Sequence, residues 1–158
     1  MKQLVPRLAT LVISLAMIGA LAGCAQAPEE CEVCHRPMHA ETYYEVHLEG
    51  GDSRSLCCPR CGLRFQQERT DVAFAEVADY ATKKVFTADE AFFVDDSSVH
   101  ACAHSRVQED RSGTQYQVAW DRCLPSLVAF ESRSAAADFS NTHGGTIKTY
   151  DELVAEAR

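Results

Sequence analysis

Past its first two dozen residues, the 158-residue sequence has no apolar run long enough to cross a bilayer, which takes about 20 residues. Basic residues are scarce: 15 Lys and Arg stand against 23 Asp and Glu, a net charge of −8. A surface of that sign argues against nucleic acid and anionic lipid as partners, because both call for a basic patch. Also missing are a glycine-rich phosphate loop, a Ser-His-Asp arrangement and a paired-carboxylate motif. Hydrolytic and phosphoryl-transfer chemistry is left without residues to carry it, and the sequence reads as a non-enzyme. What it has in excess is cysteine, at eight residues.

The first of these is Cys24. Lys2 and Arg7 supply a basic start, and an apolar run over residues 8–21 has the length of a signal-peptide core. It ends in Leu21-Ala22-Gly23-Cys24, which resembles the lipobox of bacterial lipoproteins. That resemblance implies cleavage before Cys24, a diacylglycerol thioether on its thiol, acylation such as palmitate on the new N-terminus, and attachment to a membrane through lipid. With no acidic residue directly after Cys24, it implies the cell envelope, at the periplasmic face of the outer membrane. An ordinary secretory cut nearby, leaving Cys24 a free thiol, is the alternative. On the lipoprotein reading, residues 1–23 are a leader and residues 24–30 a polar tether. Losing Lys2 and Arg7 lowers the basic count from 15 to 13 against 23 acids, a net of about −10. About 130 residues remain, enough for one compact domain with its own core.

The remaining chain carries one plan twice. Residues 43–48 alternate like a strand, Glu49-Gly50-Gly51-Asp52 is a turn signal, and residues 53–56 make a partner strand. Residues 58–68 have helical spacing and residues 72–80 return as a strand. The second pass has strands at 91–94 and 127–130, then a helix at 132–143. Ser132 or Ser134 can cap that helix, and Gly144-Gly145 stops it. A last strand at 146–148 and a terminal helix at 150–157 complete it. The expectation is α+β, two strand–strand–helix–strand units with small antiparallel sheets, over residues 31–80 and 81–158. Residues 97–122 are polar, with Ser112-Gly113 as a turn between possible strands.

Seven cysteines follow the leader: Cys31, Cys34, Cys57, Cys58, Cys61, Cys102 and Cys123. Exported thiols tend to pair, but seven is odd and neighbours such as Cys57 and Cys58 rarely bond to each other. Cys31-Glu32-Val33-Cys34 and Cys58-Pro59-Arg60-Cys61 form two knuckles with 23 residues between them. Four thiolates on two such turns can close a tetrahedron around a d¹⁰ ion, and the second knuckle opens a helix, whose positive end favours thiolate. Met38, His35 and His39 lie beside the first knuckle, and thioether suits copper(I) better than zinc. A second constellation comprises His100, Cys102 and His104, at alternate positions that share a face if extended, with Cys123 further on. These residues make either a soft-metal site, alone or shared with the knuckles, or a Cys102–Cys123 disulfide beside two exposed histidines.

Residues 77–153 resemble the NosL family, lipoproteins that serve as nitrous oxide reductase accessory proteins and periplasmic copper(I) chaperones. The resemblance is carried by Ala78-Asp79-Tyr80, by residues 87–94 and Ser97, and by residues 125–130 and 135–139. His143-Gly144-Gly145 and Tyr150-Asp151-Glu152-Leu153 complete it. The lipobox and Cys31-x-x-Cys34 with a nearby Met fit the same family, whose fold is two strand–strand–helix–strand units. Where members show Cys-Gly-Met, this chain has Cys34-His35-Arg36-Pro37-Met38. Its Leu56-Cys57-Cys58-Pro59-Arg60-Cys61 with Phe65 is similar instead to the small YHS and TRASH metal-binding modules. The family implies copper(I) as cargo and, as client, nitrous oxide reductase or its maturation machinery. On the residues alone three classes stand: a copper(I) chaperone with Met38 or Cys102 as exchange ligands, a lipoprotein with structural zinc, and a thiol–disulfide redox protein.

Overall fold

The computed structural model describes residues 30–121 and 123–156, and at 104–106, 119 and 120 the backbone alone. The leader, Cys24 and the tether up to residue 29 lie outside the described residues, as do the His104 side chain and the end of the expected terminal helix. Strands β1 (Tyr44–Leu48) and β2 (Ser53–Leu56) form the expected hairpin, α1 (Pro59–Gln67) follows, and β3 (Val72–Ala78) returns beside β1. Tyr44, Val46 and Leu48 point into the core while Glu45 and His47 point out, the period-two pattern of a half-buried strand. An additional short strand, β4 (Val85–Thr87), pairs with β3 and makes the first sheet four-stranded, ordered β2-β1-β3-β4. A single 3₁₀ turn at Ala88–Glu90 then leads into the second unit.

There β5 (Phe92–Asp95) is flanked by β8 (Leu127–Phe130) and β9 (Thr146–Thr149), in the order β8-β5-β9. The two units match: the first strand is central, the second and third are its neighbours, and the helix joins them. The second helix, α2 (Arg133–His143), is capped as its sequence indicates, with Ser132 Oγ accepting from Ala135 N at 3.2 Å and Gly144 ending it at φ 73°. The last helix, α3 (Tyr150–Glu156), begins with a reciprocal pair: Glu152 Oε2 accepts from Thr149 N at 2.7 Å and Thr149 Oγ1 accepts from Glu152 N at 3.4 Å. The class is α+β with small antiparallel sheets. Among the described residues no helix is long and apolar enough to cross a membrane.

The units differ at one connection. Where the first has the four-residue turn 49–52, the second has residues 96–126, which contain a two-stranded hairpin, β6 (His104–Glu109) and β7 (Gln115–Trp120). Its base is closed by Ser97 and Ser126, whose buried hydroxyls are 2.9 Å apart, and by Asp96 N donating to Ser126 O at 2.9 Å. All four residues of β8 are buried because it serves two cores. Leu127 and Ala129 join the large cluster that runs through the first unit, and Val128 and Phe130 join a smaller one with Val94 and Ala136.

The units are also sewn together. Tyr80 N donates to Ala129 O at 2.8 Å, and the Asp79 carboxylate accepts from Thr82 N (2.7 Å), Ala81 N (3.0 Å), Thr82 Oγ1 (3.0 Å) and Glu131 N (2.8 Å). Burial opposes the Asp79 charge, but the donors, led by Glu131 N, outweigh it and hold the carboxyl below the usual carboxylate range.

Candidate metal centre

Three segments deliver sulfur to one place. The first is the turn after residue 30, where His35 N donates to Cys31 O and Cys31 N to Arg36 O, both at 2.8 Å. His35 takes φ 54° to close it, and Glu32 N reaches Ser55 O at 3.2 Å, which fastens the turn beside β2. The second segment is the junction between β2 and α1. Cys57 follows the strand directly, and its carbonyl accepts from the buried Thr42 Oγ1 at 2.7 Å. Cys58 is the extended N-cap of α1, Pro59 occupies the first turn, and Cys61 sits one turn in. No side chain caps this helix start, so its free N–H groups favour negative charge on the sulfurs nearby. The third segment is the insertion. Cys102 and Cys123 flank the β6–β7 hairpin; Arg36 Nη1 donates to Cys102 O at 3.0 Å and Arg60 Nε to Pro125 O at 3.0 Å.

All seven are free thiols, and six of them are buried; Cys34 is partly exposed. Their Sγ–Sγ separations are 3.4 Å for Cys34–Cys57, 3.6 Å for Cys61–Cys123, 3.7 Å for Cys57–Cys61, 3.9 Å for Cys57–Cys58 and 4.0 Å for Cys57–Cys123. Two sets of four have all their sulfurs within 4.8 Å of one another: Cys31, Cys34, Cys57 and Cys61, and Cys57, Cys58, Cys61 and Cys123. A disulfide needs about 2.05 Å, so these are contacts and not bonds. Four sulfurs packed this closely are the donor set that soft d¹⁰ ions take.

Mutual hydrogen bonding moves the thiols in both directions. Cys31 is pushed below the ordinary thiol range by bonds from Cys57 and then Cys61; Cys58 and Cys123 are pushed down first by bonds from Cys102. Cys57 is pushed up because it donates, first to Cys102, and Cys61 and Cys102 are pushed up because they donate, first to Cys123. Burial pushes Cys34 up. An ion that replaced the protons of either set would turn its four thiols into ligands.

The structure brings both cysteine constellations together, with one exchange of roles. Beside Cys31, Cys34 and Cys61 stands Cys57, while Cys58 belongs to the set that includes Cys123. Cys102 belongs to neither set but is buried in the same core cluster. Met38 packs half-buried against the same core. His35 and His100 are exposed and His39 is half-buried; both sulfur sets are made of cysteine alone. His47 lies on the outer face of the first sheet, 2.9 Å from Glu76 Oε2 and stacked on Phe74. His143 ends α2 against Phe139.

No family model and no curated protein sequence matches the chain. Among solved structures it is similar to the crystal structure of the copper chaperone NosL from Shewanella denitrificans. The match has a TM-score of 0.56 and 20% sequence identity, over 81% of this chain and 93% of that one. The fold is that of NosL. The expectation of two strand–strand–helix–strand units holds in the chain itself. The NosL likeness spans both units, and the cysteine-rich junction inside it fits a metal-binding module.

Two residues of the site carry no ligand signature and are not evident from the sequence. Arg60, inside the second knuckle, reaches Asp95 at the end of β5, where Lys148 Nζ also arrives at 2.9 Å. That network, with side chains 14–20% exposed, fixes the start of α1 against the second unit. Gly62, directly after Cys61, lies against the buried Tyr44 ring. The only advance sign of either was its place beside a cysteine.

Proposed function

We propose that the chain is a lipid-anchored copper(I) chaperone of the cell envelope, which holds its cargo in the cysteine cluster and passes it to a copper-receiving client. The observation that carries the reading is the pair of all-cysteine sets, buried except at Cys34. Thiolate is a soft donor that suits copper(I), and Cys34, the least buried residue of the two sets, gives an incoming ligand a place to attack. The NosL fold supports the same reading, since the solved protein of that fold is a copper chaperone. The lipobox pattern at Leu21-Ala22-Gly23-Cys24 supports anchoring at Cys24 and a site on the periplasmic face of the outer membrane. Nitrous oxide reductase or its maturation machinery is the client class that the family resemblance implies. The role proposed is binding and transfer, without catalysis.

Buried four-thiolate sets also suit structural zinc, so the test is a competition. Reduced chain, handled without oxygen, is loaded with zinc and challenged with one equivalent of copper(I) buffered by a chelator. Displacement of zinc, followed by release of copper(I) to an apo client, is the expected result. Zinc retained against copper(I) would overturn the copper reading in favour of structural zinc.

A further inference from the structure

The two sulfur sets are not separate sites. Both contain Cys57 and Cys61, whose Sγ atoms are 3.7 Å apart; Cys31 and Cys34 complete one set, Cys58 and Cys123 the other. We propose that these six sulfurs hold two copper(I) ions in one cluster, with Cys57 and Cys61 bridging them, an inference that rests on copper(I) being the cargo.

Three considerations carry it. Two self-contained four-thiolate sites would need eight sulfurs, and the described chain supplies seven; sharing is how both sets fill together. Thiolate sulfur keeps lone pairs after binding one soft ion and can bridge to a second. Charge also favours sharing: four thiolates on one copper(I) leave −3, whereas six on two leave −4, or −2 per ion. What remains lies beside the uncapped start of α1. Each thiol that binds gives its proton to solvent, so uptake exchanges copper(I) for protons and no electron moves. Cys102 stays outside both sets and lines the cluster as a neighbour.

The position of the shared pair explains why the chain needs the insertion. The first knuckle and the β2–α1 junction alone complete only the first set. Cys123, delivered by the residues that replace the hairpin turn of the first unit, completes the second.

The test uses the full chain carrying Cys24→Ser, reduced, in detergent and without oxygen. Copper(I) is titrated against a competing chelator, retained ions are counted by native mass spectrometry, and the copper edge is measured by X-ray absorption. Two ions retained with a short copper–copper vector is the expected result. The Cys58→Ser/Cys123→Ser double variant should keep one ion and lose the vector. Saturation at one ion, or two ions with no copper–copper vector, overturns the shared cluster and leaves the chaperone reading standing; no uptake at all overturns both. If the double variant does not fold, the stoichiometry and vector of the parent chain decide the matter by themselves.

Discussion

Gly62→Ala is a one-methyl change that should disturb the cluster without touching a sulfur. A Cβ on residue 62 would lie 2.2 Å from Tyr44 Cδ1, 2.4 Å from Cε1 and 2.7 Å from Cγ. Ordinary carbon contacts begin at about 3.5 Å, so the ring or the helix must give way by more than about 1 Å. Tyr44 is fully buried on the central strand β1 and has no room to swing. The helix is the part that moves, and Cys61 moves with it. Overpacking of this severity costs about 3 kcal/mol, and alanine's better helix propensity returns about 1 kcal/mol. A net loss of about 2 kcal/mol lowers Tm by about 8 °C in a domain of this size. Metal–sulfur distances tolerate only about 0.2 Å, so copper(I) affinity should fall at least about tenfold, or 1.4 kcal/mol. Gly50→Ala, where a Cβ meets nothing within 4 Å, is the control and should change neither quantity. The assays are thermal unfolding of the metal-free protein and chelator competition for copper(I). A Gly62→Ala chain with unchanged Tm and affinity would show that α1 does not pack on Tyr44 as described.

Asp79→Asn removes a carboxylate that gathers four donors and should cost about 2 kcal/mol at neutral pH, given the strength of hydrogen bonds to charged groups. Because the folded carboxyl sits below its unfolded value, its contribution is present above about pH 4 and fades as pH falls further; denaturant unfolding of the two chains should converge in acid. Met38→Ala should weaken copper(I) and leave zinc nearly unchanged if the thioether is an exchange ligand, because thioether discriminates between them; equal losses would make Met38 packing only. Cys57→Ala should lower copper(I) retention more than Cys102→Ala, since Cys57 belongs to both sulfur sets and Cys102 to neither; the reverse order in a chelator competition would refute the ligand assignment. Cys24→Ser should abolish palmitate labelling, and labelling equal to the parent chain would refute the lipobox reading.

Most of the elements could be read from the sequence because each has a local cause. The alternation 44–48, the turn at Gly50-Gly51 and the Ser132 and Gly144 caps all announce themselves within a few residues. Strand β4 was not legible: three residues are too few to show a period, and its place is set by pairing with β3. The β6–β7 hairpin was only half legible. Its Ser112-Gly113 turn is marked, with Asp110 Oδ1 accepting from Ser112 N and Thr114 N. Its strands lack a clear apolar face because residues such as Val107 and Tyr116 are exposed, at 64% and 47%. The knuckles were visible as spacing. Which of Cys57 and Cys58 turns toward Cys31 was not, because the backbone between β2 and α1 decides it. That Cys102 and Cys123 arrive at the same place follows from where the insertion leaves the second sheet, a long-range consequence that no local pattern encodes.

The seven thiols face demands that pull in opposite directions. Without metal they are a small apolar core, since a neutral thiol is comfortable when buried. With metal the six of the two sets must be thiolates, and burial opposes that charge. The two states can share one fold because the sulfurs already lie in contact, Cys57 Sγ 3.7 Å from Cys61 Sγ and Cys61 Sγ 3.6 Å from Cys123 Sγ. Cys34, the least buried of the set residues, is where an ion would meet the cluster first. A structural ion would be served better by closing that edge fully, so the incomplete burial of Cys34 is the feature that favours the proposed cargo over a staple.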